Sequence, residues 1–163
     1  MKYKVLFLSA IIFLIACQQD KKAQLKELNL LQYGIPITIL APDSSKVIAT
    51  EIMGIKDITI KSGSDYAIQL YASDVTTTDV QQLVADQKKL VKDTRYFAKI
   101  VREEPDGFIY QTVIDTSTIN FDFRYVLVKG DKEYVFQTGL LGSFSEEAVE
   151  QMFNAVKPKS KRK

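Results

Sequence analysis

Glu103, Glu104 and Asp106 form the densest acidic cluster in the chain. Paired carboxylates can hold a divalent cation or divide acid and base roles between them. These three fall on a predicted hairpin turn, where solvation alone accounts for their charge. Asp74 and Asp79, with Thr76, Thr77 and Thr78 between them, offer oxygen ligands without the fixed spacing of a calcium loop, and capping and turn formation explain them. The chain holds no His and a single Cys, Cys17. Without imidazole there is no Ser-His-Asp triad, no Cys-His pair and no His-liganded zinc. One thiol makes neither a four-cysteine metal site nor an internal disulfide. The seven glycines compose no phosphate loop, nucleophile elbow or dinucleotide fingerprint. No catalytic residue, metal ligand or cofactor is therefore expected, and a carboxylate-based hydrolase is the enzymatic alternative.

The lone thiol has a setting of its own. Met1 to Lys4 is a short basic segment, and Val5 to Ala16 is an apolar run of 12 residues broken only by Ser9. A membrane-spanning helix takes about 20 apolar residues, whereas the apolar region of a secretory signal takes about 7–15. The run closes on Leu14-Ile15-Ala16-Cys17, which resembles the lipobox of bacterial lipoproteins, Leu-x-(Ala/Gly/Ser)-Cys. That resemblance implies that residues 1–16 are a removed signal peptide and that Cys17 receives a diacylglyceryl group and becomes the mature N-terminus. The acyl chains would then hold the protein to a membrane, each buried CH₂ contributing about 0.8 kcal/mol. Gln18 follows the Cys, where in enterobacteria-like sorting an Asp would favour the inner membrane. The expected location is the cell envelope, with the outer membrane favoured over the inner. An ordinary signal peptide or an uncleaved anchor helix is the plainer alternative.

The formal charge of +2 over 163 residues divides unevenly. Lys2 and Lys4 fall in the signal, and Lys157, Lys159, Lys161, Arg162 and Lys163 crowd the end. Between Ala23 and Val156 there are 13 basic and 19 acidic residues, so the folded part is acidic. Basic charge at the two ends forms no patch within the domain, and nucleic acid is not an expected partner. The basic tail could touch anionic headgroups or simply be solvated.

Residues 17–29 read as the acylated Cys and a tether, 30–157 as one globular domain and 158–163 as a basic tail. Leu25, Leu28, Leu30 and Leu31 could open a short helix or a first strand. Ile35 to Leu40, Val47 to Met53, Ile55 to Ile60 and Tyr66 to Tyr71 have the composition and alternation of strands. Thr78-Asp79-Val80-Gln81 has the form of a capping box, and Val80, Leu83, Val84, Leu90 and Val91 follow at helical spacing. Lys88, Lys89 and Lys92 near that helix's end suit its dipole better than an anion site. Two hairpins follow: Phe97 to Arg102 with Phe108 to Ile114 across Glu104-Pro105-Asp106-Gly107, and Phe121 to Val128 with Glu133 to Leu140. A two-residue turn at Gly130-Asp131 sets Tyr125 opposite Phe136, Leu127 opposite Tyr134 and Phe123 opposite Thr138. One aromatic face then points inward. The other carries Asp122, Arg124, Glu133 and Gln137 with Val126, Val128 and Val135. Ser143-Phe144-Ser145-Glu146 is a second capping box, opening a helix whose stripe is Val149, Met152, Phe153 and Val156.

Meandering strands with helices, without regular βαβ alternation, predict an α+β fold: an antiparallel β-sheet covered by two main helices. The element order resembles the PsbP-like fold. Gly34-Ile35-Pro36-Ile37-Thr38-Ile39-Leu40-Ala41-Pro42 is similar to that family's opening strand, and Phe144-Ser145-Glu146-Glu147 precedes a last helix containing Met and Phe. Asp43-Ser44-Ser45 stands where the family often has an aromatic residue. The resemblance implies an α/β/α sandwich and carries no catalytic residue over, since members of that fold mostly bind proteins. The expected function is a non-enzymatic, lipid-anchored envelope domain that binds a protein partner. The alternative is a carrier of a small apolar ligand or lipid, using Tyr66, Tyr71, Tyr110, Tyr125, Tyr134, Phe121, Phe123 and Phe136 as pocket lining.

Overall fold

The computed structural model describes residues 24–115, 118–140 and 142–158. The expected signal peptide, Cys17, the tether up to residue 23 and the tail from residue 159 lie outside them. Nine strands and two helices follow in chain order. β1 (Leu25–Asn29) and β2 (Thr38–Pro42) pair with each other, joined by a 3-10 turn at Leu31–Tyr33. β3 (Lys46–Ile52), β4 (Ile55–Ser62) and β5 (Tyr66–Asp74) form a meander. Then come α1 (Val80–Lys92), β6 (Phe97–Glu104), β7 (Gly107–Val113), β8 (Ile119–Lys129), β9 (Lys132–Thr138) and α2 (Glu146–Ala155). The large sheet has seven strands in the order β3-β4-β5-β9-β8-β7-β6, every pair antiparallel. α1 carries the chain from β5 to the far edge, and the second meander returns to close β9 against β5. The fold is thus α+β, an antiparallel sheet with two helices.

Alternation along the strands divides the interior in two. Ile58, Ile60, Ile68, Leu70, Phe123, Tyr125 and Phe136 share one cluster with Val149, Met152 and Phe153 of α2. Phe153 is fully buried, its ring 5.8 Å from Phe123 and 6.1 Å from Tyr125, both edge-on. β1, β2 and the segment joining them lie over the same side, sending Leu30, Ile35, Ile37, Ile39 and Ala41 into this cluster. The next residues along β7 and β8, Phe108, Tyr110 and Val126, face the opposite way and meet Leu83, Val84 and Val91 of α1. The α1 side is only partly shielded. Ile48 and Ile52 on β3 are 63% and 68% exposed, and Ile55 on β4 is also open to solvent.

Several boundaries and roles differ from the sequence reading. Residues 25–29, assigned to the tether, form a strand paired with β2. Ile35 and Ile37 are buried without being strand, so the strand expected there begins at Thr38 and takes in Ala41 and Pro42. Both helix caps are displaced. Asp79 rather than Thr78 caps α1, accepting from the N–H groups of Gln81 and Gln82, and Ser145 rather than Ser143 caps α2, accepting from Ala148. Leu90, placed in the apolar stripe, is 63% exposed. The β8–β9 register agrees at Tyr125–Phe136 and Leu127–Tyr134. Gly130 begins its turn at φ 65°, the left-handed conformation glycine takes without strain. The aromatic residues do not all share one face: Tyr71 and Tyr110 stand on the α1 side.

Candidate functional site

The site is made by what α1 leaves bare. Leu83, Val84 and Val91 seat the helix on Phe108, Tyr110 and Val126, beside β5 and β9 rather than across them. Between helix and strands runs a groove of about 470 Å³, open to solvent, walled by Ile55, Tyr71 and Leu90 and floored by Arg124, Glu133 and Gln137. Antiparallel pairing sets the floor in rows. Gln69 stands opposite Gln137 and Gln137 opposite Arg124; Tyr71 precedes Val135 and Val126 in the next row; Ser73, Glu133 and Val128 make the third.

At one end the polar groups satisfy each other. Gln69 Nε2 donates to both oxygens of Asp57 at 3.1 and 3.0 Å, and Gln137 Nε2 donates to Gln69 Oε1 at 3.2 Å. Arg124 Nη1 donates to Asp122 Oδ2 at 3.2 Å, and its guanidinium lies 5.5 Å from the centre of the Tyr110 ring. The Tyr110 hydroxyl donates to the same Asp122 oxygen at 2.7 Å. Burial pushes the Tyr110 hydroxyl above its ordinary pKa, and the Asp122 charge adds to the rise. Tyr71 is raised first by burial and then by Asp57.

Glu133 at the other end has no such company. It is 8% exposed and makes no hydrogen bond or ion pair among the described residues. Burial raises its pKa above the ordinary glutamate value, and Asp86 on α1 adds to the rise. A partly desolvated acid without a counter-charge is an unfavourable arrangement once ionised.

The acidic clusters singled out from the sequence are occupied in structural pairings. Arg102 and Lys157 bond Glu104 at 2.5 and 2.6 Å, and Lys88 bonds Glu103. Burial would raise Glu104, but the hydrogen bonds and charges of Lys157 and Arg102 outweigh it and hold the carboxyl below its ordinary range. Asp106 closes the β6–β7 turn, its carbonyl accepting from Val126 N–H at 2.8 Å. Asp74 pairs with Lys132, and Asp79 caps α1. Among the described residues no group of three or more acidic or thiol side chains is placed to hold a metal ion. Cys17, the expected lipidation site, lies outside the described residues.

Asp122, Arg124, Glu133 and Gln137 share the outward face the alternation gives them. Asp57, Gln69, Tyr71 and Leu90 join them only through the β5–β9 pairing and the seat of α1. The signal that marks the site is local all the same: Glu133 is an acid with Val126, Val128 and Val135 as its neighbours on a face whose other polar residues, Asp122, Arg124 and Gln137, lie towards the opposite end. Compared with known proteins, the chain matches no family model, no curated sequence and no solved structure. No helix among the described residues is long and apolar enough to cross a membrane.

Proposed function

We propose that this is a lipid-anchored, non-enzymatic domain of the cell envelope, held to a membrane through acyl chains on Cys17 and docking another envelope protein by the bare end of its sheet. The anchor rests on the basic start, the 12-residue apolar run and the Leu14-Ile15-Ala16-Cys17 sequence. Gln18 in place of Asp favours the outer membrane. The PsbP-like α/β/α arrangement is supported by the order of elements and by α1 and α2 packing on opposite sides of the sheet.

The observation that carries the docking reading is the tip of the β3–β4 hairpin. Met53 is 98% exposed and sits at φ 52° ahead of Gly54 at φ 79°, a turn that needs two left-handed residues. Asn at the first position would relieve the backbone, so an exposed methionine there costs stability without contributing packing. Ile48 and Ile52 extend the apolar surface along β3. Apolar surface grouped in this way marks interaction sites on soluble domains. The carrier reading gains nothing from the inward aromatics, because Phe123, Tyr125 and Phe136 are packed against one another and α2.

A photoreactive residue in place of Ile48, in the membrane-anchored chain in intact cells, should yield a reproducible adduct with one envelope protein. Met53→Asn combined with Ile52→Thr should abolish the adduct while the fold, read by circular dichroism, is retained. An adduct of undiminished yield in the double variant, or no adduct in the parent, overturns the docking reading.

A further inference from the structure

We infer that the groove beside α1 binds a small organic ammonium, with its cationic head against Glu133 and its apolar body along Ile55, Tyr71 and Leu90. The polar groups at the Arg124 end already have partners: Arg124 is held by Asp122, and Gln137 by Gln69 and through it Asp57. Glu133 is the one carboxyl lining the open space: the residue is 8% exposed, its carboxyl oxygens reach the groove, and no donor pairs with them among the described residues. The charge on α1 that acts on it is another acid, Asp86. Two acids acting together favour a cation over an anion or a neutral head. Lys132, next in the chain, does not fill the role, because its ammonium is bonded to Asp74.

The rest of the ligand follows from the walls. Tyr71 offers an aromatic ring, and Ile55 and Leu90 offer aliphatic surface, to the stem of such a cation. A space of about 470 Å³ is within the range of small-molecule sites and larger than one side chain fills. It also gives the exposed Leu90 of α1 something to contact. This inference stands independently of the docking reading.

The full chain in nonionic detergent, titrated calorimetrically with 2-phenylethylammonium at neutral pH, should bind it at least tenfold more tightly than the isosteric neutral 2-phenylethanol. Glu133→Gln should abolish that preference while leaving the weaker alcohol binding in place, and Asp86→Asn on the exposed side of α1 should reduce it severalfold. Should Glu133→Gln fail to fold, Asp86→Asn decides. Equal binding of amine and alcohol, absence of saturation at millimolar amine, or full preference retained in the folded variants overturns the inference.

Discussion

Glu133 and Glu104 are two glutamates of one domain with opposite consequences for its stability. Glu133 has a raised pKa in the folded chain, so over the window between its ordinary value and that raised value the native state holds a proton the unfolded chain has released. Its contribution to stability therefore falls as pH rises through that window. Glu133→Gln, neutral at every pH, should raise Tm at pH 7 and leave it nearly unchanged at pH 4. Equal shifts at both pH values would refute this. Glu104 has the opposite sign: its carboxyl is held low by Lys157 and Arg102, so its stabilisation is present above the ordinary glutamate range and is lost on acidification through the lowered value. A residue that destabilises its own fold near neutral pH while facing a groove is what a binding site looks like at this scale.

At the scale of elements, local chemistry decides where helices begin and how hairpins register. Thr78 and Asp79 both suit a cap by residue type, and Asp79 makes the bonds, with Oδ1 accepting from Gln81 and Gln82 at 3.0 and 3.2 Å. Asp79→Ala should cost about 1 kcal/mol in urea unfolding, whereas Thr78→Ala should be near neutral. The reverse order would return the cap to Thr78. The β8–β9 register was legible because a two-residue turn with Gly130 first leaves one way to pair the flanking alternation. β1 was legible only as one of two alternatives, a short helix or a first strand, since Leu25–Asn29 acquires its strand identity from β2, which lies beyond a 3-10 turn. The same cause hid the exposure of Leu90. Helical spacing says which residues share a face, but the width of what they meet is set by the neighbouring strands.

At the scale of the whole molecule, Phe153 joins α2 to the sheet. It is fully buried, edge-on to Phe123 and Tyr125, with the Lys157 ammonium 4.3 Å from its ring centre and Arg102 at 5.7 Å. Phe153→Ala should destabilise the domain by about 3–5 kcal/mol, measured by denaturant unfolding. A loss below about 1 kcal/mol would mean that α2 is not part of the cooperative core. Where the molecule resides is a separate matter. Cys17→Ala should abolish metabolic fatty-acid labelling and leave the precursor uncleaved, and unchanged labelling would refute acylation.

The sequence by itself determined the missing imidazoles, the lipobox-like end of the apolar run, the acidic balance of the folded part, the α+β element order and the aromatic pairing across Gly130. These depend on residue types or on neighbours a few positions apart, which a linear reading contains. Only the tertiary structure decided that Glu103 and Glu104 are tied up in ion pairs, that Met53 stands clear of the fold, and that Glu133 faces an open groove with Tyr71 and Leu90. The first depends on where α1 and α2 bring Lys88 and Lys157, the second on the tip of the β3–β4 hairpin, and the third on β5 meeting β9 with α1 to one side of that seam. These contacts join distant segments, and their geometry follows from how the packed faces fit together.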